Sequence, residues 1–149
     1  MSRTKTPSQT VGPYYAIGLT RDEQNVLAPD GVELSGTLYD GNGDAIPDGM
    51  VEMWDAAGRR WGRCGTKERA GGFLFHVPRD ADCLEVYVFA RGMLRHERTR
   101  VYLGAGAGDD VLAGLEPAQR ETLVAKADGD GFRFDIRMQG EGATVFFEQ

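Results

Sequence analysis

Residues 84–91, LEVYVFAR, alternate without a break: Leu84, Val86, Val88 and Ala90 share one face, and Glu85, Tyr87, Phe89 and Arg91 share the other. A period of two places side chains on opposite faces of an extended strand, and an apolar set on one face asks for a second layer to cover it. The same period recurs in VELSGTLY (32–39), FLFHV (73–77), RTRVYL (98–103) and FRFDIRM (132–138); MVEMW (50–54) and ATVFF (143–147) complete the predicted strands. Turn formers separate them, among them DGNGD at 40–44, Gly71-Gly72 and QGEG at 139–142. The stretch from Gly58 to Gly65, rich in glycine and arginine, reads as a connection, and GAGAGDD at 104–110 as a loop. PAQRETLVAKA at 117–127 is the predicted helix: Pro117 suits a first helical position, and Leu123 and Ala127 lie four apart. The chain's 21 glycines among 149 residues, about twice the usual share of ~7 %, match a fold with many tight turns. The expected class is all-β: a β-sandwich of about seven to eight strands with one short helix near the C-terminal third.

The N-terminal TPSQTVGPYY (6–15) carries no strand or helix period. Pro7 and Pro13 stiffen it, Gly12 permits close approach, and Tyr14 and Tyr15 seek burial. Such a segment packs on its own domain or docks on another molecule.

Several functions are disfavoured. A net charge of −6 offers no electrostatic footing for nucleic acid. Arg91, Arg95, Arg98 and Arg100 are the local exception and are expected to be solvated strand and turn residues. No window approaches the ~20 apolar residues of a membrane span, and no leader pattern opens the chain, so the cytoplasm is the expected location. Cys64 and Cys83 are then expected as free thiols. The two histidines, His76 and His96, lie far apart in sequence; HxH, HExxH and CxxC spacings are missing, and no metal site is expected within this chain. His76 is out of phase with Phe73, Phe75 and Val77 and should face outward. No serine stands in a nucleophile elbow, and no glycine-rich phosphate loop is present. On residues alone the chain reads as a β-sandwich interaction module.

Four segments take the reading further: TPSQTVGPYYAIG at 6–18, YDGNGDAIPDGMVEMW at 39–54, FARG at 89–92 and RETLVAKADGDGFRFDIRMQGEGATVFFE at 120–148. In this order they resemble the α subunits of the intradiol ring-cleavage dioxygenase family, in the branch that opens protocatechuate. The chain looks shorter than that family around 20–30, around 55–70 and between Val77 and Cys83. The resemblance implies a β-sandwich paired with a homologous β subunit. Ferric iron is held there by two tyrosines and two histidines of the β subunit. A small aromatic substrate and dioxygen then meet at a shared pocket, and protocatechuate is cleaved to 3-carboxy-cis,cis-muconate. This chain would be non-catalytic. Cys83 and Glu85 stand where the family's β subunits carry paired histidines, and they read as a buried thiol and an outward carboxylate. The resemblance divides the chain into a segment, 1–15, that docks on the partner and a single sandwich domain, 16–149. It nominates Thr10, Gly12, Pro13, Tyr14 and Arg91 as substrate-pocket residues. Opposing roles are structural: Thr10 and Tyr14 as anchors of a terminus, and Arg91 as an ion-pair partner of Glu85 on the same strand face. Two other readings stand beside this one. A carboxypeptidase-regulatory-like binding module explains the sandwich and the turn but leaves the tail unexplained. A free-standing intradiol dioxygenase lacks its histidine and tyrosine ligands here.

Overall fold

A computed structural model of the chain describes residues 3–104 and 106–148. Among them nine strands run in chain order: β1 (Val32–Tyr39), β2 (Met50–Asp55), β3 (Arg60–Gly65), β4 (Gly72–Val77), β5 (Cys83–Phe89), β6 (Glu97–Leu103), β7 (Val124–Asp128), β8 (Gly131–Arg133) and β9 (Ile136–Arg137). Two short helices, α1 (Asp110–Ala113) and α2 (Pro117–Glu121), lie between β6 and β7.

The neighbour order is β3-β2-β5-β6-β7-β8-β1-β4, with β9 also beside β1. The first four strands form one antiparallel layer. In the second layer β1 runs antiparallel to β4 and parallel to β8 and β9. Strand β7 belongs to both: Val124 and Ala125 lie opposite Tyr102 and Leu103 of β6, and Lys126–Asp128 run against β8. The far side is closed by the segment 24–28. The Gln24 carbonyl accepts from Arg63 N of β3 at 2.8 Å, the Asn25 carbonyl accepts from His76 N of β4 at 3.0 Å, and Leu27 N donates back to the His76 carbonyl at 2.9 Å. Two edges that would otherwise expose unpaired backbone groups are thereby stitched together. Val51, Met53, Leu84, Val86, Val88 and Val101 of one layer meet Leu34, Leu38, Phe73, Phe75, Val77 and Ile136 of the other in a single buried cluster. This is the expected all-β sandwich.

Its elements differ from expectation in several places, and two short helices stand where one was expected. Residues 60–65 form β3, where a connection was expected. Gly62 points inward, and Leu27 occupies the space its side chain would take, so the glycine that suggests a loop is there because the segment 24–28 packs on it. The helix predicted over 117–127 stops at Glu121. Leu123 is fully buried beside Tyr102 and Leu112, and the backbone from Val124 onward is taken by β6 and β8, whose pairing outweighs local helix propensity. The predicted strand 132–138 is split into β8 and β9 around Phe134, whose carbonyl lies so close over Gly36 of β1 that no side chain would fit there. Residues 143–147 run beside β6 through an Arg98–Phe147 bridge and a Thr99 Oγ1–Val145 carbonyl hydrogen bond of 2.6 Å, without a continuous ladder. The alternation of 84–91 outlasts its strand, for β5 ends at Phe89.

The split between β8 and β9 interrupts β1's ladder at Thr37. The Asp135 carboxylate replaces the missing carbonyl: its Oδ1 accepts from Thr37 N at 2.9 Å and from Arg133 Nη2 at 2.8 Å. Asp135→Ala leaves that amide without its acceptor and should cost about 1–2 kcal/mol of stability. Asp135→Asn, which keeps an acceptor, should cost less. Denaturant midpoints followed by circular dichroism check the ranking.

Candidate functional site

The outer face of the first layer carries the residues nominated from sequence. Its cross-strand rows are Arg63–Glu52–Tyr87–Arg98 and Trp61–Trp54–Glu85–Arg100. The N-terminal segment covers one end of this face, and the stretch leading into α1 covers the other.

At the first end the chain turns through Gly12–Tyr14 and then Tyr15–Leu19. Tyr15 is buried with its ring 5.7 Å from that of Phe89, and burial raises its phenol pKa above the ordinary value. The His96 ring lies 5.2 Å from Phe89 and 5.5 Å from Tyr87. Arg63 Nη1 donates to the Leu19 carbonyl at 2.9 Å. Thr10 Oγ1 accepts from Gly12 N and from Gly92 N, both at 3.2 Å. Gly12 and Gly92 have φ of 65° and 87°, the left-handed region open to glycine at little cost. Thr10, Gly12 and the turn bearing Arg91 are therefore brought together. Pro13 and Tyr14 follow directly on the exposed side, with Tyr14 63 % exposed.

Arg91 does not pair with Glu85. Its Nε lies 2.8 Å from Asp48 Oδ2. The β2–β5 register explains the choice: Met50 lies opposite Phe89, so two residues beyond each strand end Asp48 and Arg91 face each other. Glu85 is taken by its β6 neighbours, with Oε1 2.8 Å from Arg100 Nε and Oε2 3.7 Å from Arg98 Nε. Arg98 and Arg100 are thus half-buried ion-pair partners, where solvated residues were expected. Asp48 was not singled out from sequence. Its signal there is only the turn IPDG, which becomes meaningful once β2 is registered against β5.

At the second end a cleft of about 550 Å³ opens over Trp54, Cys83, Glu85, Arg100 and Asp109. Asp109 organises its floor. Oδ1 accepts from Tyr102 Oη at 2.9 Å and from Leu112 N, at the start of α1, at 3.0 Å, and Oδ2 lies 3.2 Å from Arg100 Nη1. The backbone hydrogen bond from Leu112 holds the Asp109 carboxyl below the usual carboxylate range. Burial pushes the Cys83 thiol up to about 11 and the Tyr102 phenol up to about 12. Near neutral pH both keep their protons, and Glu85 is held by arginines. Among the described residues no three His, Cys, Asp or Glu side chains converge as metal ligands. The groups in this cleft do not fit a ferric ion, which calls for several convergent imidazole and anionic oxygen donors.

No family model matches the chain. Among solved structures, the dioxygenase domain of a dioxygenase–carbohydrate-binding fusion from Streptomyces sp. SirexAA-E superposes with a TM-score of 0.55 over 92 % of this chain and 99 % of that one, at 19 % identity. An intradiol ring-cleavage dioxygenase from Tetranychus urticae gives 0.52 over 76 % and 84 %, at 12 % identity. The sandwich is that of the intradiol dioxygenases. In sequence the chain is 38 % identical to the protocatechuate 3,4-dioxygenase α chain of Pseudomonas putida, over 97 % of this chain and 96 % of the relative. It is 36 % identical to the α chain of Burkholderia cepacia, over 97 % of each. The chain belongs to the protocatechuate 3,4-dioxygenase α-chain family. The carboxypeptidase-regulatory-like reading gives way to this membership. The first match runs over 193 aligned positions against 149 residues here, so that relative carries segments this chain lacks.

The raised values at Cys83 and Tyr102 set the alkaline limit of this end. The unfolded chain releases these protons from its ordinary values of 9.0 and 10.0, whereas the folded chain holds them longer. Their stabilising contribution is fully present below about pH 9 and is lost as pH rises through about 11 and 12. Two measurements check this. Alkylation of Cys83 at pH 8, followed by mass spectrometry, should run at least about tenfold slower than that of an unfolded cysteine. The unfolding midpoint should fall between pH 9 and pH 12, and fall less in Cys83→Ser/Tyr102→Phe.

Proposed function

We propose that this chain is a non-catalytic α subunit that completes the substrate pocket of a homologous, iron-bearing β subunit, in an enzyme that cleaves protocatechuate to 3-carboxy-cis,cis-muconate. The observation that carries the reading is the Thr10–Gly92 hydrogen bond. It joins the N-terminal segment to the Arg91 turn, so Thr10, Gly12, Pro13, Tyr14 and Arg91 line one edge of the molecule. Each has chemistry suited to a pocket wall. Gly12 lets backbone approach closely, Pro13 stiffens the wall, and Arg91 offers a guanidinium to the carboxylate of an aromatic acid. The ferric iron that activates the catechol belongs, in this reading, to the β subunit. The substrate and dioxygen reach it in the shared pocket, and this chain alone is inactive. The disagreement between the Cys83–Glu85 cleft and a ferric ligand set supports that division of labour.

The partner's footprint is marked by apolar side chains on the same end. Tyr14 and Ile17 are 63 % and 67 % exposed, and Val11, Leu19 and Leu94 are exposed as well. Apolar surface of this kind, close to a proposed pocket, is what a permanent partner covers. The segment 1–15 then docks on the β subunit while Tyr15 ties it to its own sandwich, 16–149. In this reading the protein is cytoplasmic, and its acidic net charge disfavours a nucleic-acid partner; among the described residues no helix is long and apolar enough to cross a membrane.

The test is co-production with a β-type chain that carries the paired histidines and tyrosines. Deletion of residues 1–13 should leave the far-ultraviolet dichroism of the sandwich unchanged. In the assembled complex it should lower kcat/KM for protocatechuate by about tenfold, the effect expected on losing one wall of a positioned site. Normal turnover in a fully assembled truncated complex overturns the pocket role. Iron-dependent oxygen uptake by this chain purified alone overturns the non-catalytic assignment.

A further inference from the structure

We infer that Asp48 is a positioning residue that aims Arg91 at an anionic aromatic substrate; the inference rests on the pocket reading of the preceding section. Arg91 lies beyond the end of β5, and its side chain is 63 % exposed. An arginine in that setting ordinarily samples many rotamers, and ordering it on a ligand costs entropy. Here the guanidinium already has a charged neighbour: Nε lies 2.8 Å from Asp48 Oδ2 in an ion pair, and Asp48 is only 25 % exposed.

The holder is itself anchored in the core. Thr66 is fully buried and clasps the turn that carries Asp48. Gly49 N donates to Thr66 Oγ1 at 2.9 Å, Thr66 Oγ1 donates to the Ile46 carbonyl at 2.6 Å, and Thr66 N donates to the Gly49 carbonyl at 3.0 Å. On the opposite side Gly92 N is held by Thr10 Oγ1 at 3.2 Å. The Arg91–Gly92 corner is thus gripped by two separate parts of the chain.

The choice of atom gives the grip its use. A guanidinium presents one edge through Nε and another through its two Nη groups, and a carboxylate can be received on either. Asp48 approaches from the Nε side as an ion-pair partner, without an aligned hydrogen bond, and among the described residues neither Nη group has a protein partner. The end-on pair of donors is left for a carboxylate that arrives from solvent or from the partner's side. Asp48 also offsets Arg91's charge. Selection then depends more on the direction of the donors than on long-range attraction.

The measured quantity is the ratio of kcat/KM for protocatechuate to kcat/KM for catechol, which lacks the carboxylate, in the αβ complex. Arg91→Ala should lower this ratio by about tenfold or more, as expected for losing a charge-assisted bidentate contact. Asp48→Ala should lower it several-fold, mainly through KM for protocatechuate. Asp48→Glu, which keeps a carboxylate to pair with the guanidinium, should restore most of the ratio. The double variant Asp48→Ala/Arg91→Ala should be no worse than Arg91→Ala alone, because Asp48 acts through Arg91. If Arg91→Ala lowers the ratio and Asp48→Ala does not, the positioning role is overturned while the pocket reading stands. If Arg91→Ala leaves the ratio unchanged, the placement of Arg91 in the pocket fails, and the inference with it. If both Asp48 variants lower activity on the two substrates equally, or Asp48→Glu also prevents assembly, Asp48 is a structural ion-pair partner and the positioning role is overturned.

Discussion

Strand β7 is shared by the two sheets, and the molecule depends on that sharing. Its first two residues complete β6 and its last three complete β8, so one short strand converts an open sheet into a closed sandwich. The requirement reaches back into α2, which ends as soon as Leu123 is buried and the backbone is needed for pairing. It reaches forward to the Phe134–Asp135 break, where β1 exchanges a ladder bond for a carboxylate. On the other side, a segment with no period of its own, 24–28, performs the matching closure through backbone bonds to β3 and β4. Both closures satisfy the same demand: a buried layer cannot leave peptide groups unpaired at its edges.

With the inner faces sealed, specific chemistry is displaced to the outer face of the β3-β2-β5-β6 layer. Glu85 illustrates this: Arg100 of the adjacent strand hydrogen-bonds one of its oxygens, and Arg98 lies 3.7 Å from the other. Arg100 is in turn shared with Asp109, which begins α1. The result is a cross-braced surface that holds the start of α1. A carboxylate committed to two guanidiniums is a poor metal donor, and a thiol and a phenol kept protonated by burial are no better. The same side chains that fail as an iron site succeed as a structural brace.

The opposite end of that face exposes apolar side chains. Tyr15 packs on Phe89 and sends the chain outward, which leaves Tyr14 and Ile17 exposed on either side of a buried anchor. Exposed apolar side chains on a rigidly anchored segment need less ordering on association than a free terminus does. The same geometry sets Thr10 beside the Arg91 turn. Packing within the chain, the exposure of Tyr14 and Ile17 and the placement of the Arg91 turn are three consequences of one local arrangement.

The sequence by itself determined the class of fold and the family. Alternation in β1, β4, β5 and β6 is a property of each strand alone, visible wherever one face is buried and the other is not. The ordered motifs from Thr6 to Glu148 likewise read without knowledge of space, and with them came Thr10, Gly12 and Arg91 as neighbours of interest. Tertiary structure decided everything that depends on which strand lies beside which. Residues 60–65 are a strand because β2 is there to pair with them, and residues 124–128 are a strand because β6 and β8 both need a partner. Asp48 meets Arg91 because Met50 is registered against Phe89, and Glu85 turns to Arg100 because β6 supplies a closer cation than Arg91. Local period is a one-body property of a strand, whereas register, ion-pair choice and edge closure are two-body properties that exist only once the sheets have assembled.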